Sequence, residues 1–283
     1  MTFSSTVAPL YLERSDHLAD LAYWALEQEA LLSPKPGLVD SRGTGSHEDM
    51  DLALMLKSAR CLKPFFQQMA DAALQQLNTH DLRQEIGLLG RQAESAMLKA
   101  TKGINTHRGA IWALGLLVAA AASSDNNLQS LLERVAQLAL HPDDNAPLAA
   151  LSNGQQVCKK YQLPGAKEEA QQGFPHLRFL GLPTLTNSRE SGDPEPVAQL
   201  NALLAIMSSL PDTCVLSRTG LSGLATVQQG AKAIIDAGGC GSLDGRRALL
   251  KFEQKLLALK ASSGGAADLL AATLFVDSLL TCQ

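Results

Sequence analysis

Nearly every segment of this chain that lies between Gly or Pro marks carries apolar residues at the three-and-four spacing of an α-helix. Ala and Leu dominate these segments, β-branched residues are sparse, and no run alternates apolar with polar as a half-buried strand would. The pattern predicts an all-α protein, a single large multi-helix domain spanning 1–283. Helices are expected at about 16–32, 46–77, 81–101, 106–122, 127–140, 145–161, 194–210, 219–237, 243–260 and 264–281. Pro64 should kink or split the second of them. Residues 173–194, with Pro, Gly and Ser and few periodic apolar positions, read as the one substantial irregular connection, a lid or a joint. No repeat of fixed period marks a solenoid.

With 46% hydrophobic residues in 283, the chain can bury a large core. A net charge of -4 leaves no global basic field for a nucleic-acid backbone, so nucleic acid is not an expected partner. The most apolar run, Gly109 to Ala122, is 14 residues long. That is short of the ~18 to 20 of a membrane span and fits a buried core helix. The five cysteines (Cys61, Cys158, Cys214, Cys240, Cys282) are odd in number and far apart, with no zinc-ligand spacing. They read as reduced thiols. The first residues lack a basic start followed by a long apolar stretch, so a cytoplasmic protein is expected. Apolar helix faces would support a homodimer, but the sequence does not separate such faces from core faces.

Chemistry-bearing residues gather at junctions between helices. In SPKPGLVDSRGTGSHEDMD, residues 33–51, two prolines end one helix, three glycines permit tight turns, and Ser46 is a plausible cap for the next. Lys35, Arg42, His47 and the acids Asp40, Glu48, Asp49 and Asp51 share this junction. His47 and Asp51 fall on one helical face, with Asp49 and Asp40 able to approach from the loop. Such a group can hold Mg²⁺ through one or two carboxylates, with phosphates and water completing the octahedron. The competing reading is that acids in a first turn simply favour the positive end of the helix dipole.

In TKGINTHRGA, residues 101–110, Gly103 stops one helix and Asn105 or Thr106 caps another. Free backbone amides there, with Lys102, His107 and Arg108, would suit an anionic phosphate. Basic residues in a first turn otherwise run against the dipole. Glu94 lies seven residues before Thr101, on nearly the same face. In SSGGAAD, residues 262–268, Ser263, Gly264 and Gly265 open the last helix and could cradle a phosphate or permit close packing. Arg218 in SRTG reads equally well as a turn. Glycine-rich dinucleotide, P-loop, zinc-protease and serine-hydrolase motifs have no match in the sequence.

Taken in order, the KPGLVD block, the AESAMLKATKGINTHRGAIWALGLL stretch, PGAKEEAQQGFP, SRTGLSGL and SSGGAADLLAATLF resemble the triphosphoribosyl-dephospho-CoA synthases, which serve citrate lyase and malonate decarboxylase. The resemblance runs from about Ala19 to the C-terminus and is nearest the malonate decarboxylase branch. Lys102, Thr219 and Ser263 stand where that pattern has a small residue, a glycine and a proline. The resemblance implies an all-helical transferase that takes ATP and 3′-dephospho-CoA, moves the triphosphoribosyl unit and releases adenine. Its product would pass to a prosthetic-group transferase and an acyl-carrier protein.

Substitution at a ribose anomeric carbon builds positive charge on the ring. It calls for a base for the attacking hydroxyl, a donor for the purine and cations for the triphosphate. On the resemblance, Glu94 is the expected base and His47 the purine donor or the anchor of a metal-bound water. Asp49 and Asp51, with Asp40, are the expected Mg²⁺ ligands. Lys35, Arg42, Asn105, Thr106, His107, Arg108, Arg218, Ser263, Gly264 and Gly265 are expected to hold substrate, and 173–194 to exclude water. A metal-dependent helical hydrolase of ADP-ribose or nucleotides would use similar acids but leave no adduct. A helical scaffold protein would release no adenine.

Overall fold

A computed structural model describes residues 7–75, 77–125, 127–146 and 151–281, with side chains from residue 13. Among these residues there are twelve α-helices and no strand. They are α1 (Val7–Leu31), α2 (Leu52–Leu74), α3 (Thr79–Ala100), α4 (Arg108–Ser123), α5 (Leu128–Leu140), α6 (Asn153–Tyr161), α7 (Ala166–Gln171), α8 (Leu182–Glu190), α9 (Glu195–Met207), α10 (Thr213–Asp236), α11 (Leu243–Leu259) and α12 (Gly264–Thr281). A π-turn, Leu177–Gly181, leads into α8.

Three helices are apolar nearly all round and therefore lie inside. They are α4, α9 and α12, each with most of its length buried. α12 is long and apolar enough to cross a membrane by composition, yet 61% of it is buried within the protein, against α1, α4 and α9. Its hydrophobicity is that of a core helix. Around this centre α2, α3, α5 and α11 turn apolar stripes inward. α2 comes close enough to α4 that a Cβ at Gly115 would lie 2.8 Å from Met69 Sδ.

Several boundaries differ from the sequence expectation. α2 starts at Leu52 because Asp51, not Ser46, is its cap, accepting from the Leu54 N–H at 2.8 Å. The Ser46 N–H instead donates to the Gly37 carbonyl, which closes the preceding loop. Pro64 does not split α2. It faces solvent, where the carbonyl it leaves unpaired can be hydrated. α6 begins only at Asn153, capped by Ser152 in a box with Gln155. Part of the stretch before it lies outside the described residues. α10 begins six residues early, capped by Asp212, and breaks at Gly220, whose φ of 68° no helix contains.

The largest correction concerns 173–194. It is neither lid nor irregular connection, because Pro183 sits in the first turn of α8, where its missing N–H costs nothing. Leu177 and Leu185 are fully buried, and the segment packs against α9 and α12. The four described cysteines are free thiols.

Candidate active site

Two of the sequence clusters form the floor of one cavity, and the loop 32–51 makes its first wall. Asp40 organises that loop. Its Oδ2 accepts from Ser33 Oγ (3.0 Å), the Lys35 N–H (2.9 Å) and the Arg42 guanidinium (2.8 and 2.9 Å), and its Oδ1 from the Arg42 N–H (2.8 Å). Burial opposes its charge, but the bonds from Arg42 and the two backbone N–H groups outweigh it and hold the carboxyl below its usual range. Arg42 also grips Glu253 on α11 through two bonds, at 2.6 and 3.0 Å. Asp40 and Arg42 therefore clasp the loop to the body. The loop can close because Gly37 and Gly45 hold φ of +71° and +58°; a Cβ at Gly45 would lie 2.4 Å from the Leu38 carbonyl.

Inside the clasp, Lys35 is buried with only 1% exposure. Its ammonium donates to Glu29 Oε1 and to the Glu29 carbonyl, both at 2.6 Å. Glu29 itself is 3% exposed. Both side chains line the cavity, so its base carries a neutralised pair rather than a free cation.

His47 joins three elements. Its Nδ1 faces Arg218 on α10 at 3.1 Å, and its Nε2 meets Ser262 Oγ at 2.8 Å. Arginine has no acceptor, so Nδ1 must accept and Nε2 carries the proton to Ser262. Burial, then the Arg218 charge, lower the His47 pKa, which keeps this neutral tautomer. Arg218 is steadied by the Ser46 carbonyl at 3.1 Å and keeps its remaining N–H groups for the cavity it lines. Asp49, 62% exposed, stands at the rim 3.8 Å from His47. Asp51 is spent on the α2 cap and lies outside the lining.

At the α3–α4 turn the backbone N–H groups of His107, Arg108 and Ala110 are already taken. Asn105 Oδ1 accepts from the Arg108 N–H at 3.1 Å, and the His107 N–H points at Met97 Sδ at 3.2 Å. The Asp268 carboxyl faces the Ala110 N–H. Thr106, Ser58 and His107 Nδ1 form a chain of bonds at 2.6 and 2.7 Å, while the buried His107 Nε2 has no partner among the described residues and lies in the cavity lining. Burial, then the Lys35 charge, drive the His107 pKa from 6.5 down to about 3. The unfolded chain thus binds a proton that the folded one refuses, and stability is lost as pH falls below the unfolded value. Between pH 7 and pH 5 this one group should remove about 2 kcal/mol. Urea unfolding at both pH values should find His107→Gln less acid-sensitive than the wild type by about that amount.

Arg108 lines the cavity and pairs with Glu94, whose carboxylate lies outside the lining. Glu94 is thereby placed to set Arg108 rather than to reach the cavity interior. At the other side, Ser262 and Gly264 reach the lining, Ser263 Oγ is buried without a partner among the described residues, and Gly265 borders a second, smaller cavity. The larger cavity measures about 310 Å³ and the smaller about 130 Å³, and Gly109 and Asp268 line both.

Among the described residues no group of three or more His, Cys, Asp or Glu is placed to hold a metal ion. Asp40, Asp49 and Asp51 are not assembled into one site. The structure instead brings forward acids that the sequence clusters left out. Glu29 could have been found as an acid on the apolar stripe Ala22, Ala25, Leu26. Asp268 interrupts the first half of the largely apolar α12, and Asp212 follows Pro211 in cap position.

Residues 15–283 match the family described as ATP:dephospho-CoA triphosphoribosyl transferase (CitG). The 2-(5''-triphosphoribosyl)-3'-dephosphocoenzyme-A synthase of Klebsiella pneumoniae is 53% identical over 274 residues, which are 96% of this chain and 98% of that one. A probable synthase of the same name from Stutzerimonas stutzeri is 53% identical over 98% of this chain and 96% of its own. Another, from Pseudomonas fluorescens (strain Pf-5), is 55% identical over 94% and 92%. No solved structure matches the chain.

Proposed function

The chain belongs to the ATP:dephospho-CoA triphosphoribosyl transferase family, and from that premise we infer how its cavity carries out the transfer. The enzyme moves the triphosphoribosyl unit of ATP onto 3′-dephospho-CoA and releases adenine. The observation that carries the assignment of the site is convergence. The loop 33–51, the start of α4, Arg218 of α10 and the start of α12 are far apart in sequence and line one cavity.

Arg218 and Arg108 are the cations that reach the cavity with N–H groups to spare, and they are assigned to the triphosphate. With Thr106 donating to Ser58 and Ser58 to His107 Nδ1, the neutral imidazole keeps its proton on Nε2 and offers it to a substrate oxygen. Lys35 acts on Glu29 instead of on phosphate. Glu29 Oε2 has no partner among the described residues, and the base that accepts the attacking hydroxyl's proton is assigned to Glu29 in place of Glu94. Charge building on the ribose ring is met by carboxylates of the cavity.

A Mg²⁺ ion fits this donor set only as a companion of the triphosphate. Asp49 at the rim is the carboxylate that would hold it, since Asp40 and Asp51 are committed to the loop and the cap. When bound, the ion would neutralise phosphate charge. The product is assigned onward to a prosthetic-group transferase and an acyl-carrier protein, and the enzyme to the cytoplasm, where both nucleotides are available. The free thiols support that compartment.

Mass spectrometry of protein incubated with ATP, Mg²⁺ and dephospho-CoA should detect adenine and an adduct heavier by one triphosphoribosyl unit. Ribosyl hydrolysis without dephospho-CoA would overturn the reading. Arg218→Ala should lower kcat/KM for ATP about 10- to 100-fold, the loss of one or two charge-assisted bonds. Asp51→Asn should stay close to the wild type, because Asn caps a helix as well as Asp does.

A further inference from the structure

The smaller cavity has no role in holding phosphates or the hydroxyl. Trp112, Phe174, Pro175 and Leu269 give it flat apolar walls, and the Trp112 ring is fixed by Nε1 donating to the Ala166 carbonyl at 3.0 Å. Among the polar side chains of its lining, which include Gln172, Asp212 and Thr213, one pair is held in a fixed orientation. Glu169, 8% exposed, accepts from the His176 N–H at 2.9 Å and lies 2.7 Å from His176 Nδ1. That bond puts the ring proton on Nδ1 and leaves Nε2, unpartnered among the described residues, as an acceptor. Flat apolar walls with one or two oriented polar atoms are the chemistry that recognises a heteroaromatic base carrying an amino group.

Asp268 stands in the wall shared with the larger cavity. It keeps some accessible surface although protein encloses it, because it borders both spaces. Gly109 makes room for it: a Cβ there would lie 2.0 Å from Asp268 Oδ2. The only donor at its carboxyl is the Ala110 N–H, and no cation pairs with it among the described residues.

Resting on the transferase reading, we propose that the smaller cavity seats the adenine of ATP and that Asp268, at its junction with the larger cavity, protonates that adenine as it departs. Desolvation, then the neighbouring Glu29 and Asp212 carboxyls, push Asp268 well above the usual carboxyl range, so it holds a proton to give. The bond from the anomeric carbon to the purine nitrogen breaks, and its electron pair goes to the purine. The Asp268 proton follows to a purine ring nitrogen, and adenine leaves neutral. The acceptor oxygen bonds to the same carbon and its proton passes to Glu29. One carboxyl loses a proton and another gains one, so transfer of that proton back to Asp268 through solvent restores the enzyme.

Both substrates carry adenine, and leaving-group chemistry separates them. Asp268→Asn should slow transfer from ATP by about 10²- to 10⁴-fold in kcat. With the triphosphate of 6-chloropurine riboside, whose base departs without help, the loss should shrink to less than about tenfold. Equal losses with both donors would overturn the acid role. A rise in KM for dephospho-CoA with kcat intact would assign the cavity to the acceptor and overturn the proposal. Binding is read separately. In a Trp24→Phe background, free adenine should quench Trp112 fluorescence in the full-length protein. Absence of quenching overturns the subsite even in an enzyme that releases adenine. Quenching in a protein that forms no adduct would keep the subsite and dispose of the transferase reading instead.

Discussion

Lys35→Met is expected to cost the fold about 3–5 kcal/mol, and adding Glu29→Leu should return most of that without returning any turnover. The pair is shut inside, at 1% and 3% exposure, with Nζ and Oε1 2.6 Å apart. Removing the ammonium alone strands a nearly buried carboxylate at the base of the cavity, and the penalty is that of the orphaned charge. Removing both groups for apolar ones of similar volume relieves two desolvations at once, and such exchanges are commonly neutral or stabilising. A buried pair that the fold could do without is kept for what it does to a substrate. Urea unfolding of the wild type, the single variant and the double variant measures the first half of the claim, and adenine release the second. A double variant as unstable as the single one would shift the role of Lys35 to its other bond, to the Glu29 carbonyl. Turnover in the double variant would remove Glu29 from the chemistry.

The fold was legible where a helix announces itself by period. α4, α5, α11 and α12 lie within a residue or two of their expected bounds, because each has an unbroken apolar stripe between clear stop signals. Legibility failed where one residue type serves two purposes. The prolines of 173–194 read as breakers, yet Pro183 opens α8, and Ser46 reads as a cap, yet its N–H closes a loop. The site was legible as a set of junctions and not as a set of roles. Of the residues expected to hold substrate, Lys35, Asn105 to Arg108 and Arg218 share the cavity lining, while Arg42 stays outside it on Asp40 and Glu253. Sequence could not show that the Lys35 charge is cancelled by Glu29 or that Asp40 spends itself on Arg42. Those facts depend on partners up to the reach of a folded loop, and local spacing carries no record of them. Glu94 on α3 had the right helical face for Thr101 but a nearer attraction in Arg108.

Asp212→Ala is expected to destabilise the protein by about 3 kcal/mol, because one buried carboxyl serves two helices. Its Oδ1 accepts from the Cys214 and Val215 N–H groups at 2.8 and 3.4 Å, capping α10, and its Oδ2 from the Ala266 N–H at 3.0 Å in the first turn of α12. Alanine removes a cap worth about 1 kcal/mol and leaves at least one backbone N–H dry, at about 1–3 kcal/mol. The α12 start also carries Ser262, which holds His47, so KM for ATP should rise in whatever fraction stays folded. Asp212→Asn separates the cap from the charge. Burial raises the Asp212 pKa from 3.8 against the pull of its N–H bonds. The folded state therefore keeps a proton that the unfolded chain gives up, and the wild type loses stability as pH rises above 3.8 until the folded pKa is passed. Asparagine has no such dependence. The stability of the wild type relative to Asp212→Asn should accordingly fall as pH is raised from 4, measured by urea unfolding. A relative stability that did not fall would mean that the helix N–H groups outweigh burial and that the folded carboxyl is ionised throughout.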